Sequence, residues 1–262
     1  MQLIDYRLFV VFHQQLKNEY YDSSIINKYE FVNVNPRNDL TAINPDYIVI
    51  SQYEFENFHS LGKWYTESEV IYNIYKNKYL YKDVNYIGFL QHDIDSSVLN
   101  KEILEKNLPK YQLINLQPYP FQTDYNQKIL MDESQPDKKT GAGVNCYEVI
   151  INDYNNFYNT NYTAENLKNV TLNLCSSFIL RTDIFEKMML FIESIIKSGK
   201  LDQFDSNRQY RIQGGLLERY YAVWLAFDNL QTTQIPLKHH FEESVAQNSF
   251  FKRVINKLKL RK

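Results

Sequence analysis

Residues Tyr86-Ile87-Gly88-Phe89-Leu90-Gln91-His92-Asp93-Ile94-Asp95 carry a short apolar run straight into a polar tip with two carboxylates spaced i, i+2. The run predicts a buried strand whose carboxyl end is exposed. In an open α/β sheet, ligands sit outside the carboxyl ends of the strands. Hard carboxylate oxygens at such an end suit Mg²⁺ or Mn²⁺ and can hold the cation against a diphosphate. Asp93 and Asp95 are therefore candidate metal ligands, with Asp95 ranked first, and Gln91 and His92 are candidate contacts to nucleotide or sugar. A competing reading makes Asp95 a helix cap, because Ser96-Ser97 follows it.

The flanking chain alternates strand and helix signals. Residues 8–12 form a continuous apolar run ending at His13, and residues 31–34 and 45–50 offer two more strands, the last ending near Tyr53. Residues 66–78 have a helical period, with Val70, Ile71, Ile74 and Tyr75 on one face and Thr66 or Ser68 as the cap. A helix over 99–108 ends at Pro109, and a strand follows over 111–116. Residues 118–142 read as a long surface loop. A strand over 172–180, helices over 182–195 and 216–225, and an extended segment over 235–240 with His239 and His240 complete the order. This alternation predicts an α/β protein with a largely parallel sheet. Residues 1–248 read as one domain, and 249–262 as a basic amphipathic helix suited to peripheral contact with a membrane surface.

The bulk properties narrow the function. A chain of 262 residues that is 44% apolar buries a full core without staples. A formal net charge of −2 gives no pull on nucleic acid. The two cysteines, Cys146 and Cys175, match neither a zinc spacing nor a disulfide framework. The opening residues do not read as a signal peptide, and no apolar run approaches the roughly 20 residues of a membrane span. The expectation is a cytoplasmic protein.

Several segments together resemble a family of bacterial glycosyltransferases of capsule and exopolysaccharide gene clusters. In that family an opening strand ends in Thr-His-Lys, and Phe9-Val10-Val11-Phe12-His13 is similar. A later Cys-Glu-Leu-Thr leads through aromatics to Lys-Asn. Here Thr66-Glu67-Ser68-Glu69 leads through Tyr72-Asn73-Ile74-Tyr75 to Lys76-Asn77, which puts Glu67 on the family's glutamate. The family's Tyr-Val-Gly-Leu is matched by Tyr86-Ile87-Gly88-Phe89, and its Cys-Asn-Met-Phe-Ile-Met by Cys175-Ser176-Ser177-Phe178-Ile179-Leu180. Its Gly-Phe-Leu-Ala-Glu-Arg resembles Gly214-Gly215-Leu216-Leu217-Glu218-Arg219. One departure matters: where the family continues Cys-His-Tyr-Arg-Arg, this chain has Gln91-His92-Asp93-Ile94-Asp95, which is similar instead to the metal-dependent GT-A transferases.

The resemblance implies a GT-A-like fold, a Rossmann-type mixed and mostly parallel sheet flanked by helices. It implies an enzyme that moves a sugar from a nucleoside diphosphate-sugar, UDP by analogy, to a glycan or lipid-linked glycan acceptor, with Mn²⁺ or Mg²⁺ as cofactor. Glu218 is the expected catalytic base, with Asp93 assisting at the metal. His13, Tyr53, Glu67, Gln91, His92, Gly214, Gly215 and Arg219 are expected on the donor. One of His239 and His240 is expected to complete the metal shell, since adjacent residues of an extended segment point opposite ways. Two other classes compete. The 15% aromatic content also suits a carbohydrate-binding module without catalysis, and paired carboxylates with histidines also suit a metal-dependent phosphoesterase.

Overall fold

The computed structural model describes residues 4–35, 44–62, 64–126, 146–203 and 212–240. Its strands are β1 (Tyr6–Phe12), β2 (Tyr29–Asn33), β3 (Ile48–Ser51), β4 (Tyr86–Gln91), β5 (Ile94–Asp95), β6 (Leu113–Asn115), β7 (Pro118–Pro120), β8 (Thr171–Asn173), β9 (Phe178–Arg181), β10 (Thr232–Gln234) and β11 (Lys238–His239). Its α-helices are α1 (Glu67–Lys76), α2 (Lys101–Asn107), α3 (Phe121–Asn126), α4 (Cys146–Tyr158), α5 (Thr182–Lys197) and α6 (Ile212–Phe227). Seven strands form one sheet in the order β3-β2-β1-β4-β9-β6-β10, with β9 antiparallel to both neighbours and the remaining pairs parallel. The mixed, mostly parallel sheet is the one expected from the sequence.

This order positions the site. The chain winds outward from β1 through β2 to β3, then returns to the other side of β1 as β4. The winding direction thus reverses between β1 and β4, and such a reversal opens a ligand crevice at the carboxyl ends of the strands. Two short antiparallel pairs, β5 with β11 and β7 with β8, lie outside the main sheet.

The period of two along each strand sorts the core into two layers. Leu8, Val10, Phe12, Tyr86 and Leu90 fall in one, with Tyr20, Ile25, Leu104 and Leu108 from the 3₁₀ turns and α2. Phe9, Val11, Ile87 and Phe89 fall in the other, against α1, α4, α5 and α6. Both faces of β4 are therefore buried, which is why its sequence is a continuous apolar run. Phe89 packs against Phe9, Phe178 and Phe185 at centroid distances of 5.8, 5.5 and 5.3 Å. Burying such a ring contributes roughly 1.5–3 kcal/mol.

The structure departs from the sequence reading in places. The expected strand over 172–180 is broken between β8 and β9, because Cys175 and Ser176 take left-handed φ values of 56° and 46°. Of Thr66 and Ser68, the two expected caps of α1, Thr66 holds the capping position but sits at φ 54° and makes no side-chain capping bond. Residues 118–126, expected as loop, form β7 and α3. The rest of that loop to residue 142, and the helix over 249–262, lie outside the described residues. Among the described residues no helix is long and apolar enough to cross a membrane.

Gly88 sits at the centre of the sheet for want of space. A Cβ there would stand 2.5 Å from Leu8 Cδ2 and 3.0 Å from Ile179 Cγ1. Gly88→Ala is therefore expected to destabilise the protein by about 1–3 kcal/mol through overpacking. Urea unfolding checks this; an unchanged midpoint contradicts the strand packing described.

Candidate active site

At the carboxyl ends of β1, β2 and β3 lies a cavity of about 300 Å³, lined in part by His13, Gln52, Tyr53, Ser60, Gly62 and Glu67. Its wall is an extended strap held along α1. Asn77 accepts from the Asn57 N–H at 2.9 Å and donates to the Asn57 carbonyl at 3.1 Å. Asn73 does the same to His59, at 2.6 and 2.9 Å. Glu69 accepts from the Leu61 and Gly62 N–H groups at 2.7 and 2.8 Å. Four helical residues rise about 6 Å, close to the roughly 6.6 Å of two extended residues, so the steps match. Glu69, Asn73 and Asn77 were not singled out in the sequence; a buried polar stripe at i, i+4, i+8 is the signal that marks them.

Where the winding reverses, the His13 ring after β1 meets the His92 ring after β4 edge-on, at 4.6 Å. Burial, the largest effect, holds His92 below the usual imidazole range. Tyr53 donates from its hydroxyl to the Val34 carbonyl at 3.2 Å and lies at the cavity rim. The fold thus gathers His13, Tyr53, Glu67 and His92 around one crevice.

Asp93 follows β4, and the pairing of β5 with β11 sets Ile94 opposite His239. Asp93 Oδ2 then lies 3.2 Å from His239 Nε2. Burial raises the Asp93 carboxyl, but the hydrogen bond and charge of His239, with the charge of His92, outweigh it and hold the group below its usual value. The other Asp93 oxygen, Oδ1, is buried and has no hydrogen-bond partner. Two oxygen or nitrogen ligands about 2.1 Å from a small divalent cation stand roughly 3 Å apart in an octahedral shell. The spacing of Asp93 Oδ2 and His239 Nε2 fits two ligands of such a cation. Among the described residues no cluster of three or more acidic, histidine or cysteine ligands occurs.

The two other expected ligands are engaged elsewhere. Asp95 accepts from the Ser97 N–H at 3.0 Å and from its hydroxyl at 2.6 Å, the turn-capping role. His240 stacks on Tyr20 at 4.8 Å and donates its backbone N–H to the Asp93 carbonyl at 2.9 Å. Of the two aspartates, Asp93 is the one that has a histidine at its carboxylate, and His239 is that histidine.

Glu218 lies on α6 with 21% of its side chain accessible. Its pKa is pushed up to about 7. Burial is the largest cause; the Arg219 charge opposes it, and the charges of Glu67 and Asp124 add to it. The left-handed turn at Cys175 is the hub. Its carbonyl accepts from Gln91 Nε2 at 3.1 Å and from the Ser177 hydroxyl at 2.8 Å, and its Sγ lies 3.8 Å from His239 Nδ1. Gln91 and His239 are thereby tied to one residue, whose backbone also lies near Glu218 and opposes the rise of its pKa.

Three expected donor contacts have structural roles instead. Arg219 is engaged by Asp124, through Nε at 2.8 Å and Nη2 at 2.9 Å, in a pair that Tyr147 also joins. Its guanidinium fixes α6 to α3. A Cβ on Gly214 would stand 2.5 Å from Thr66 Oγ1 and 3.0 Å from the Tyr65 carbonyl, so glycine there serves helix packing. Gly215 lies beneath Arg219, whose Nη1 donates to its carbonyl at 2.8 Å.

A seven-stranded, mostly parallel mixed sheet flanked by helices places the chain in the GT-A-like class of fold. The chain is similar in structure to the bifunctional glycosyltransferase WbbM, solved without ligand, with a TM-score of 0.60 and 14% identity over 88% of this chain. It spans 44% of that protein's length. A match to the mannosyltransferase Ktr4p from S. cerevisiae has a TM-score of 0.37 and 12% identity over 88% of this chain and 68% of that one; likeness at that level carries no inference. No protein-family model and no curated protein matches the chain. The resemblance to capsule-cluster proteins thus rests on the residues alone.

Two outcomes follow from the burial of these charges. Arg219→Met leaves the Asp124 carboxylate buried without its partner and is expected to cost about 3–5 kcal/mol. Arg219→Met with Asp124→Leu should recover much of that loss in urea unfolding; an additive double variant contradicts the pairing. For Glu218, the folded pKa lies above the unfolded value of 4.5. The associated stability is present below about pH 4.5 and is lost as the pH rises through about 7. Glu218→Gln is therefore expected to be more stable than the parent near pH 8, by up to roughly 3 kcal/mol and with a higher Tm, and not near pH 4. An equal difference at both pH values contradicts the buried carboxyl.

Proposed function

We propose that the protein is a glycosyltransferase that moves a sugar from a nucleoside diphosphate-sugar, with UDP as the nucleotide, to a hydroxyl of a glycan acceptor. The observation that carries this reading is the convergence of Asp93, His239 and Glu218 on the carboxyl end of β4, beside the strand-order reversal. The cavity lined by His13, Gln52, Tyr53 and Glu67 is assigned to the nucleoside. Its wall is preorganised by Glu69, Asn73 and Asn77, which lowers the ordering cost of binding.

Asp93 and His239 are the residues that would hold the divalent cation, which when bound neutralises charge on the diphosphate leaving group. Glu218 is assigned as the general base, because a carboxyl with a pKa of about 7 is divided between its two forms near neutral pH. Its carboxylate takes the proton of an acceptor hydroxyl as the hydroxyl oxygen attacks the anomeric carbon and the nucleoside diphosphate leaves. Gln91 acts one step back, by bracing the Cys175 carbonyl.

The assignment is tested by thermal shift against UDP, GDP, CMP and dTDP, each with and without Mn²⁺. A ligand that binds only the native state raises Tm by mass action. The expected result is a Tm rise with UDP that needs Mn²⁺, survives Asp95→Asn and is lost in Asp93→Asn and His239→Ala. Equal loss in Asp95→Asn would return the metal site to the pair of aspartates. A rise with glycans alone, indifferent to nucleotide and metal, would point to a carbohydrate-binding module instead.

A further inference from the structure

A second cavity, of about 180 Å³, lies between the β6–β10 edge of the sheet and the carboxyl-terminal half of α6. Asn115 and Asn173 line it with Ala222 and Ala226, while Thr232 and Gln234 stand at its exposed rim. Both asparagines are deeply buried, at 5% and 3% exposure. Asn115 Nδ2 donates to the Leu172 carbonyl at 3.1 Å. Its Oδ1, and both Oδ1 and Nδ2 of Asn173, have no hydrogen-bond partner. Leaving one buried polar group unmet costs about 1–3 kcal/mol. Three such atoms on two residues at one cavity therefore mark a place for a polar guest rather than a packing defect.

The chemistry of the guest follows from the amides. An asparagine side chain presents an acceptor and a donor side by side. Adjacent hydroxyls of a sugar ring offer the complementary pair, since each hydroxyl both donates and accepts. The cavity equals about six waters at ~30 Å³ each, the size of a single sugar ring and too small for a nucleotide. Glycine-sized and alanine-sized walls, here Ala222 and Ala226, let a ring approach the helix backbone. Location adds the rest. Glu218, Ala222 and Ala226 follow at i, i+4 and i+8 on α6, so the cavity begins about 6 Å along the helix from Glu218. Asn173 is likewise two residues from Cys175, whose carbonyl accepts from Gln91 and whose Sγ lies 3.8 Å from His239 Nδ1.

We propose that this cavity is a subsite that grips one ring of the acceptor glycan, through adjacent hydroxyls recognised by Asn115 and Asn173. Its use as an acceptor subsite rests on the transferase reading above; its recognition of a sugar ring rests on the cavity alone. The test is calorimetric titration of the full chain with the methyl glycosides of glucose, galactose and mannose, in both anomers. Ala226→Phe fills the cavity from its wall and Thr232→Trp from its exposed rim, where folding is least at risk. At least one glycoside is expected to bind with millimolar affinity to the parent and equally to Asp93→Asn, and at least about tenfold more weakly to both filling variants. Absence of binding to the parent at the highest soluble concentration overturns the proposal and leaves the cavity to solvent. So does undiminished binding in filling variants whose circular dichroism matches the parent. Cavity-dependent binding in a protein that binds no nucleotide keeps the sugar site and sinks the transferase reading. Nucleotide-dependent turnover without glycoside binding does the reverse.

Discussion

Two consecutive non-glycine residues in left-handed conformation hold this site together. Cys175 and Ser176 interrupt what the sequence presents as one strand, at a cost of about 1–3 kcal/mol each. That strain persists because the turn is bonded from several directions. Gln91 at the end of β4 and the Ser177 hydroxyl both bind the Cys175 carbonyl, and the Cys175 backbone lies close enough to Glu218 on α6 to lower its pKa. Its Sγ lies against His239 on β11. Without the break, β8 would run straight into β9, and the end of the central strand, the candidate base and the candidate metal ligand would share no common support.

The same device divides the molecule into two halves with different tasks. On the β1–β3 side, polar residues of α1 hold an extended strap by its backbone and build a rigid wall for the first cavity. On the β6–β10 side, two buried asparagines line a second, smaller cavity along α6. Glu218 stands between them. Its carboxyl is raised to about 7 chiefly by burial and is kept from rising further by Arg219. Arg219 can do this without entering the site because Asp124 already holds its guanidinium. A charge used for scaffolding thus also tunes a neighbouring carboxyl.

Much of the fold was legible in the sequence because its signals are local. The apolar run of β4, its two-sided burial and the helical face of Val70, Ile71, Ile74 and Tyr75 each follow from periodicity. The position of Asp93, just past the end of β4, was legible for the same reason. What failed depends on contacts far apart in the chain. The sequence ranks Asp95 ahead of Asp93, and only the fold shows that Ser97 engages Asp95 while His239 on β11 faces Asp93. Arg219 reads as a donor contact until Asp124, 95 residues away, is seen to occupy it. Gly214 reads as an opening for substrate until Thr66 and Tyr65 are found filling that space. The left-handed turn has no sequence marker, since neither cysteine nor serine favours it.

The most direct measurement is the pH dependence of nucleoside diphosphate release from UDP-sugars, with Mn²⁺ and a glycan mixture as acceptor, in the parent and in Glu218→Gln. The expected result is a kcat/KM that rises through a single limb near pH 7, and a variant whose activity falls by at least about a hundredfold and loses that limb. Release that is flat through pH 7, or that survives in Glu218→Gln at the parent rate, would contradict the placing of the catalytic base on α6.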